Sequence, residues 1–212
     1  FRYLLGHSPD EPIPKSEEVN TYIKKIEVHD HHEAHAASAY FYSGWKKCGV
    51  LTLDGWGDNF SSKLYFANNG KLNLISKTSS LDSLGYFYGS ITKLLGFKPH
   101  RHEGKVLGLA AFGNYKKAYS FISKMISYDK VNKCFKGNFE KGLYLSKFDN
   151  PNIQFLKKRY KREDIAAATQ KRIEEVILEF INDNIKKKTK LALAGGVFSN
   201  VKINQKISEL KN

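Results

Sequence analysis

The chain predicts a mixed α/β fold, on three observations. A histidine-rich helix start over 29–39 runs into a hydrophobic strand, Cys48-Gly49-Val50-Leu51-Thr52-Leu53. Two further strand-like segments, Ser62 to Phe66 and Leu72 to Lys77, flank Asn68-Asn69-Gly70, a hairpin signal. A long amphipathic helix opening at Glu163-Asp164 then leads to a short strand, Leu191 to Ala194, and a Gly195-Gly196 turn. The strands are too varied for a simple βαβ ladder.

Each element follows in order. Residues 8–20 hold three of the five prolines and read as an irregular lead-in, with Tyr22 to Val28 a short strand. Asp30 stands where a helix N-cap is needed. The 48–53 strand should end at Asp54-Gly55-Trp56-Gly57-Asp58. Leu84 to Leu95 is amphipathic and stops at Gly96, so a helix is expected. Pro99 breaks the chain before His102-Glu103-Gly104-Lys105 and a small apolar helix, and another helix is expected over Tyr115 to Ile126. The 129–160 section, with Gly, Asn and aromatic residues at short spacing, gives no clear period. In the 163–185 helix, Ile165, Ala168, Ile173, Val176, Ile177, Phe180 and Ile181 recur near 3.6 residues, and Lys186-Lys187-Lys188 should meet the negative end of its dipole. After the Gly-Gly turn a last helix is expected near Val201 to Leu210.

At 212 residues the chain can bury a substantial core, with 41% hydrophobic and 26% charged residues. It lacks the run of roughly 20 apolar residues that a membrane helix needs. There is no signal-peptide layout and no initiator Met, so a piece of a longer or processed protein is expected. Cys48 and Cys134 form no disulfide framework, which points to a reducing cytoplasm, with Cys48 a buried thiol. The net charge of +14 invites a nucleic-acid reading. The cations are scattered, however, and the densest run, 157–162, precedes a helix; solvated faces are expected, and dedicated nucleic-acid binding is not.

Chemistry concentrates in three places. His29, His31, His32 and His35 are four of the seven histidines, within seven residues. On a helix His31 and His35 lie over one another, the simplest way to hold two metal ligands on one rigid element. The blander reading is a solvated polar helix start. The pair alone identifies neither metal nor reaction. Asp54 ends a buried strand and has glycines beyond it, which suits close approach to a metal or phosphate, though Asp and Gly also favour a plain turn. Gly195-Gly196 between strand and helix lets backbone reach a nucleotide, without matching a Walker A or GxGxxG pattern. His102-Glu103-Gly104-Lys105 offers acid, base and ammonium groups for substrate or nucleotide, or Glu103 simply starts a helix, with His100, Arg101 and Lys105 at the surface.

Taken in order, these segments resemble the carbamoyltransferase family that includes nodulation protein U and tobramycin carbamoyltransferase. The matching segments are 30–39, 51–55, Ser83-Leu84-Gly85, 102–110, 163–168 and 193–200. The resemblance covers about 25–110 and 160–210, and implies an actin/Hsp70-type (ASKHA) fold in its Kae1-like form, truncated at both ends. Residues 1–212 would be the central part of that domain, without the N-terminal strand segment and the YrdC-like domain. It also implies transfer of a carbamoyl group from carbamoyl adenylate to a hydroxyl of a small-molecule acceptor such as a sugar or antibiotic. The adenylate would come from carbamoyl phosphate and ATP through the YrdC-like domain.

By the family pattern His31, His35 and Asp54 would bind a divalent metal, iron. Asp54, Gly55, Gly85, Gly195, Gly196 and Asn200 would contact the adenylate, and a further Asp ligand would lie beyond Asn212. For catalysis Asp54 is the expected partner of the metal, and His32 is the candidate to take the hydroxyl proton. Two other functions share these motifs: threonylcarbamoyl transfer to tRNA, which the basic charge favours, and a non-catalytic basic module that binds nucleic acid.

Overall fold

The computed structural model describes residues 27–210. The lead-in over 8–20 and most of the expected strand from Tyr22 lie outside the described residues, and Glu27 and Val28 are irregular. Helix α1, His31–Ser43, begins at Asp30, whose Oδ1 accepts the Glu33 N–H at 2.9 Å, and ends at Gly44 in the left-handed conformation (φ 67°). Strands β1 (Lys47–Gly57), β2 (Phe60–Asn68) and β3 (Lys71–Ser79) form an antiparallel run, with Asn69 and Gly70 both at positive φ in the tight turn. Strand β1 extends past its expected end, through Asp54 to Gly57, by way of a bulge after Leu53.

Helix α2, Leu84–Leu94, is capped by Ser83, and α3, Glu103–Ala110, follows the Pro99 break. Helix α4 covers Tyr115–Ile122 only. The expected continuation to Ile126 fails because Ile126 instead starts β4, Ile126–Asp129, which pairs with β5, Cys134–Gly137. Met125 and Ile126 are buried either way, so periodicity alone could not separate the two outcomes. A short helix α5, Leu156–Arg159, precedes α6, Arg162–Asn184. The lysines at 186–188 fall beyond the end of α6, with Lys188 at positive φ, and no basic residue occupies its last turn. Strand β6 is Leu191–Ala194, a 3₁₀ turn spans Gly196–Ser199, and α7 is Val201–Ser208. None of the described helices is long and apolar enough to cross a membrane.

The larger sheet has the order β3-β2-β1-β6, mixed because β1 and β6 are parallel. Central β1 is covered on both faces, which is why it reads as an unbroken apolar run. Cys48 and Val50 join Ala36 and Tyr40 beneath α1, and Leu51 and Leu53 face the larger core of α2, α3, α4 and α6. The period of two continues the α1 side of β1 through Thr52 to Asp54. Lys63, side chain 10% exposed, reaches from β2 to the Asp30 carboxylate at 2.7 Å and so ties the sheet to the start of α1.

Asp164, in the first turn of α6, accepts the Asn114 N–H at 2.8 Å, with Lys117 Nζ 3.4 Å from its second oxygen. The Asn114 N–H, aided by Lys117, holds this carboxyl below its ordinary value. A depressed native value means the contribution is present above the unfolded value, about 3.9, and is lost as pH falls through the native one. Asp164→Asn is expected to cost about 1–2 kcal/mol at neutral pH and to flatten the loss of stability below about pH 4. Urea unfolding across that range measures both, and an unchanged acid limb would refute the assignment.

Candidate metal centre and adjoining pocket

Strands β1 and β6 run parallel with Thr52 opposite Ala194, so the segments that leave their C-terminal ends, Asp54 and Gly195-Gly196, emerge side by side. In open α/β sheets this end is where ligands bind. The first turns of α1 reach the same end and bring His31 and His35 to Asp54, while the rest of the helix runs back along β1.

His31 Nε2 stands 3.2 Å, and His35 Nε2 3.3 Å, from Asp54 Oδ2. One ligand atom from each of the three residues lies within 4.8 Å of the others. Ligands about 2.0–2.2 Å from a common ion sit roughly 3–3.5 Å apart, so both His-to-Asp54 separations suit a shared divalent cation. The side chains remain 37%, 36% and 27% exposed, leaving the site open on one side. Burial alone would push the Asp54 carboxyl up. The Gly55 N–H at 2.7 Å, the His31 hydrogen bond and the two imidazoles outweigh it and hold the group below its ordinary value. The carboxylate is therefore ready as an anionic ligand.

His31 is held from two sides. Its backbone N–H donates to Asp58 Oδ2 at 2.7 Å, and its ring lies flat on Gly57, where an added Cβ would meet Cδ2 at 2.1 Å. Gly57→Ala is expected to displace the ring and lower cation affinity by about tenfold or more, in the range of changes behind a ligand. Metal titration monitored beside thermal unfolding checks this; wild-type affinity in a folded variant would refute it.

His32 occupies a different position. Its side chain is fully buried under α1, with Nε2 3.0 Å from the Phe60 carbonyl and Nδ1 2.9 Å from Thr52 Oγ1. Burial pushes this imidazole below its ordinary value, against the Phe60 carbonyl. A neutral ring must donate from Nε2 to the carbonyl and accept at Nδ1. The expectation that His32 takes a substrate proton is thus left without a free ring nitrogen or a solvent path. The residue docks α1 on β1 and β2.

Beside the triad opens a pocket of about 430 Å³. Of the expected nucleotide residues, Gly55, Gly85, Gly196 and Asn200 line it together. A Cβ on Gly196 would come within 3.3 Å of Asp54 Oδ1, so pocket and triad share a wall. Gly85, at the start of α2, packs on the Gly55 backbone, where a Cβ would meet Gly55 Cα at 2.7 Å. Gly195 does not line the pocket; it turns the chain against the Leu53 carbonyl.

A family model described as carbamoyltransferase N-terminus matches residues 15–211. The chain belongs to this carbamoyltransferase family. Two uncharacterized proteins of Methanocaldococcus jannaschii are 33% and 32% identical to it, over 95% and 88% of the chain but 40% and 33% of their own lengths. The nodulation protein NolNO of Sinorhizobium fredii is 27% identical over 86% of the chain and 27% of its own length. The chain thus spans two fifths or less of these relatives.

Within this carbamoyltransferase domain the pocket also uses residues that the sequence did not single out for it. Phe148 comes from the section without a clear period and lines the pocket, its ring 4.6 Å from that of His100 and 4.8 Å from that of Tyr86. A Cβ on Gly89 would meet the Phe148 ring at 2.4 Å, so a glycine in α2 makes room for it. His100 and Arg101, which a plain helix start would leave at the surface, line the same pocket, as does Glu103, which the sequence did offer for substrate or nucleotide and whose Oε1 accepts the His100 N–H at 2.7 Å. The Gly85-x-x-x-Gly89 spacing on α2, which the sequence reading passed over, is the feature that could have pointed to these close approaches.

Proposed function

We propose that this chain supplies the metal and nucleotide half of a carbamoyl-transfer centre, in a Kae1-like domain of the actin/Hsp70 type. The observation that supports it best is the triad of His31, His35 and Asp54 sharing a wall with the pocket, within a chain of the carbamoyltransferase family. A divalent cation held there, iron on the family resemblance, supplies Lewis acidity toward a carbonyl or phosphoryl oxygen.

The chain's own groups do the rest. Gly55 and Gly196 let the backbone approach the phosphate of a carbamoyl adenylate, and the wall from Gly85 to Asn200 holds its nucleoside. The adenylate is made from carbamoyl phosphate and ATP by a YrdC-like domain. A small-molecule hydroxyl, on a sugar or antibiotic, attacks the carbamoyl carbon from the open side of the triad. The new C–O bond forms as the bond to the phosphate oxygen breaks, AMP departs, and the hydroxyl proton leaves with the phosphate. His31 and His35 are carried by α1, and His32 keeps that helix in place.

The test uses the intact protein with labelled carbamoyl phosphate, ATP and two acceptor sets, sugars and tRNA. Label on a sugar hydroxyl is expected. Label confined to tRNA would replace the proposal with threonylcarbamoyl-type transfer, and label on neither would refute both.

A further inference from the structure

We infer that Gln170 is a positioning residue that sets which edge of the Asn200 amide faces the pocket, and that this edge is a hydrogen-bond donor. The inference rests on the reading that the pocket takes an adenine nucleotide.

Asn200 lines the pocket and is also the N-cap of α7: its Oδ1 accepts the N–H groups of Lys202 and Ile203, each at 3.2 Å. Backbone N–H groups only donate, so the oxygen must point toward the helix. Nδ2 is then turned the other way and donates to Gln170 Oε1 at 2.9 Å.

The Gln170 amide is fixed independently from its far side. Its Nε2 donates to Glu174 Oε1 at 2.7 Å. Nε2 also lies 3.3 Å from Asn200 Oδ1, and Gln170 Oε1 takes the Tyr88 hydroxyl at 3.1 Å. Gln170 is 6% exposed and Glu174 9%, while Tyr88 is part of the pocket wall. Neither amide can flip without setting donor against donor or oxygen against oxygen, a costly arrangement where water is excluded.

One group of Asn200 remains unspent among the described residues. Its oxygen is fully used, and one of the two Nδ2 hydrogens is committed to Gln170; the second hydrogen has no partner. The pocket therefore presents a donor here, and its ligand must bring an acceptor: an unprotonated ring nitrogen or a ribose oxygen. A phosphate-only or purely apolar ligand would gain nothing from this arrangement. The sequence did not single out Gln170; the pairing appears once α6 and α7 are brought together.

The experiment measures equilibrium binding of AMP, and of AMP analogues each lacking one ring nitrogen or one ribose hydroxyl, to the intact protein. In the wild type one analogue is expected to bind about tenfold more weakly, the loss of one hydrogen bond to a site built for it. In Gln170→Met, AMP itself should weaken by about tenfold, that analogue's penalty should vanish, and metal bound at the triad should stay the same. A merely structural role would not erase the penalty for one particular atom. Wild-type AMP affinity in Gln170→Met, or a retained penalty, overturns the inference, as does a wild type that penalises no analogue. Should Gln170→Met fail to fold, Asn200→Asp decides: it keeps the capping oxygen and removes the donor, so in the folded variant the penalty for that one analogue should vanish, and a retained penalty overturns the inference. A wild type that binds no adenine nucleotide overturns the nucleotide reading itself, and the inference with it.

Discussion

The intact protein carrying His31→Ala and His35→Ala together is expected to lose its bound transition metal. Both side chains supply a ligand atom beside Asp54, and no other group of three His, Cys, Asp or Glu ligands forms among the described residues. Affinity should fall by more than the roughly 10–100-fold seen when groups behind a ligand are changed. The fold should survive, because both imidazoles are over one-third exposed and alanine favours a helix. Elemental analysis of purified protein reads the metal, and far-UV circular dichroism reads α1. Unchanged iron or zinc in the folded double variant would remove the triad from consideration, and the carbamoyl-transfer proposal would lose its metal.

The largest effect on stability is expected at Gly195. Its backbone, at φ 97° and ψ 160°, lies in a region essentially restricted to glycine. A Cβ there would also sit 2.2 Å from the Leu53 carbonyl oxygen, a backbone atom of the central strand that has no rotamer to change. Conformational strain alone is about 1–3 kcal/mol, and the collision adds to it, so Gly195→Ala should cost about 3 kcal/mol or more. Chemical denaturation of wild type and variant measures this. A cost under about 1 kcal/mol would mean that the β6 turn and β1 are less tightly joined than their contacts show. Gly196 offers a contrast at the next position, since its Cβ would meet nothing closer than Asp54 Oδ1 at 3.3 Å.

Much of this arrangement was legible because its signals are local. Asp30 ahead of a helical run, Asn69-Gly70 between alternating segments and the apolar period of α6 each specify an element over a few residues. That His31 and His35 stand together was legible for the same reason, since four residues on a helix is a local distance. Asp54 needed only the end of a hydrophobic strand.

The remainder depends on what packs from afar. His32 has the same local context as its neighbours, and only the strands beneath α1 make it a buried dock rather than a base. Phe148 reaches the pocket because Gly89, 59 positions earlier, leaves room for its ring. The boundary between α4 and β4 turns on the pairing of Ile126 with Gly137, which an apolar period cannot report. The role of Lys186 to Lys188 was misread for a simpler reason: the helix stops at Asn184, before the cations arrive.

The shared wall between Asp54 and Gly196 has a thermodynamic consequence. A cation on Oδ2 and a ligand against Gly196 meet the two oxygens of one carboxylate, one residue beyond the core of a single strand. If either occupant changes the affinity for the other, linkage requires the reverse change to be equal. The two halves of the centre then fill as a coupled pair, and the dissociation constant measured for one is defined only at a stated occupancy of the other.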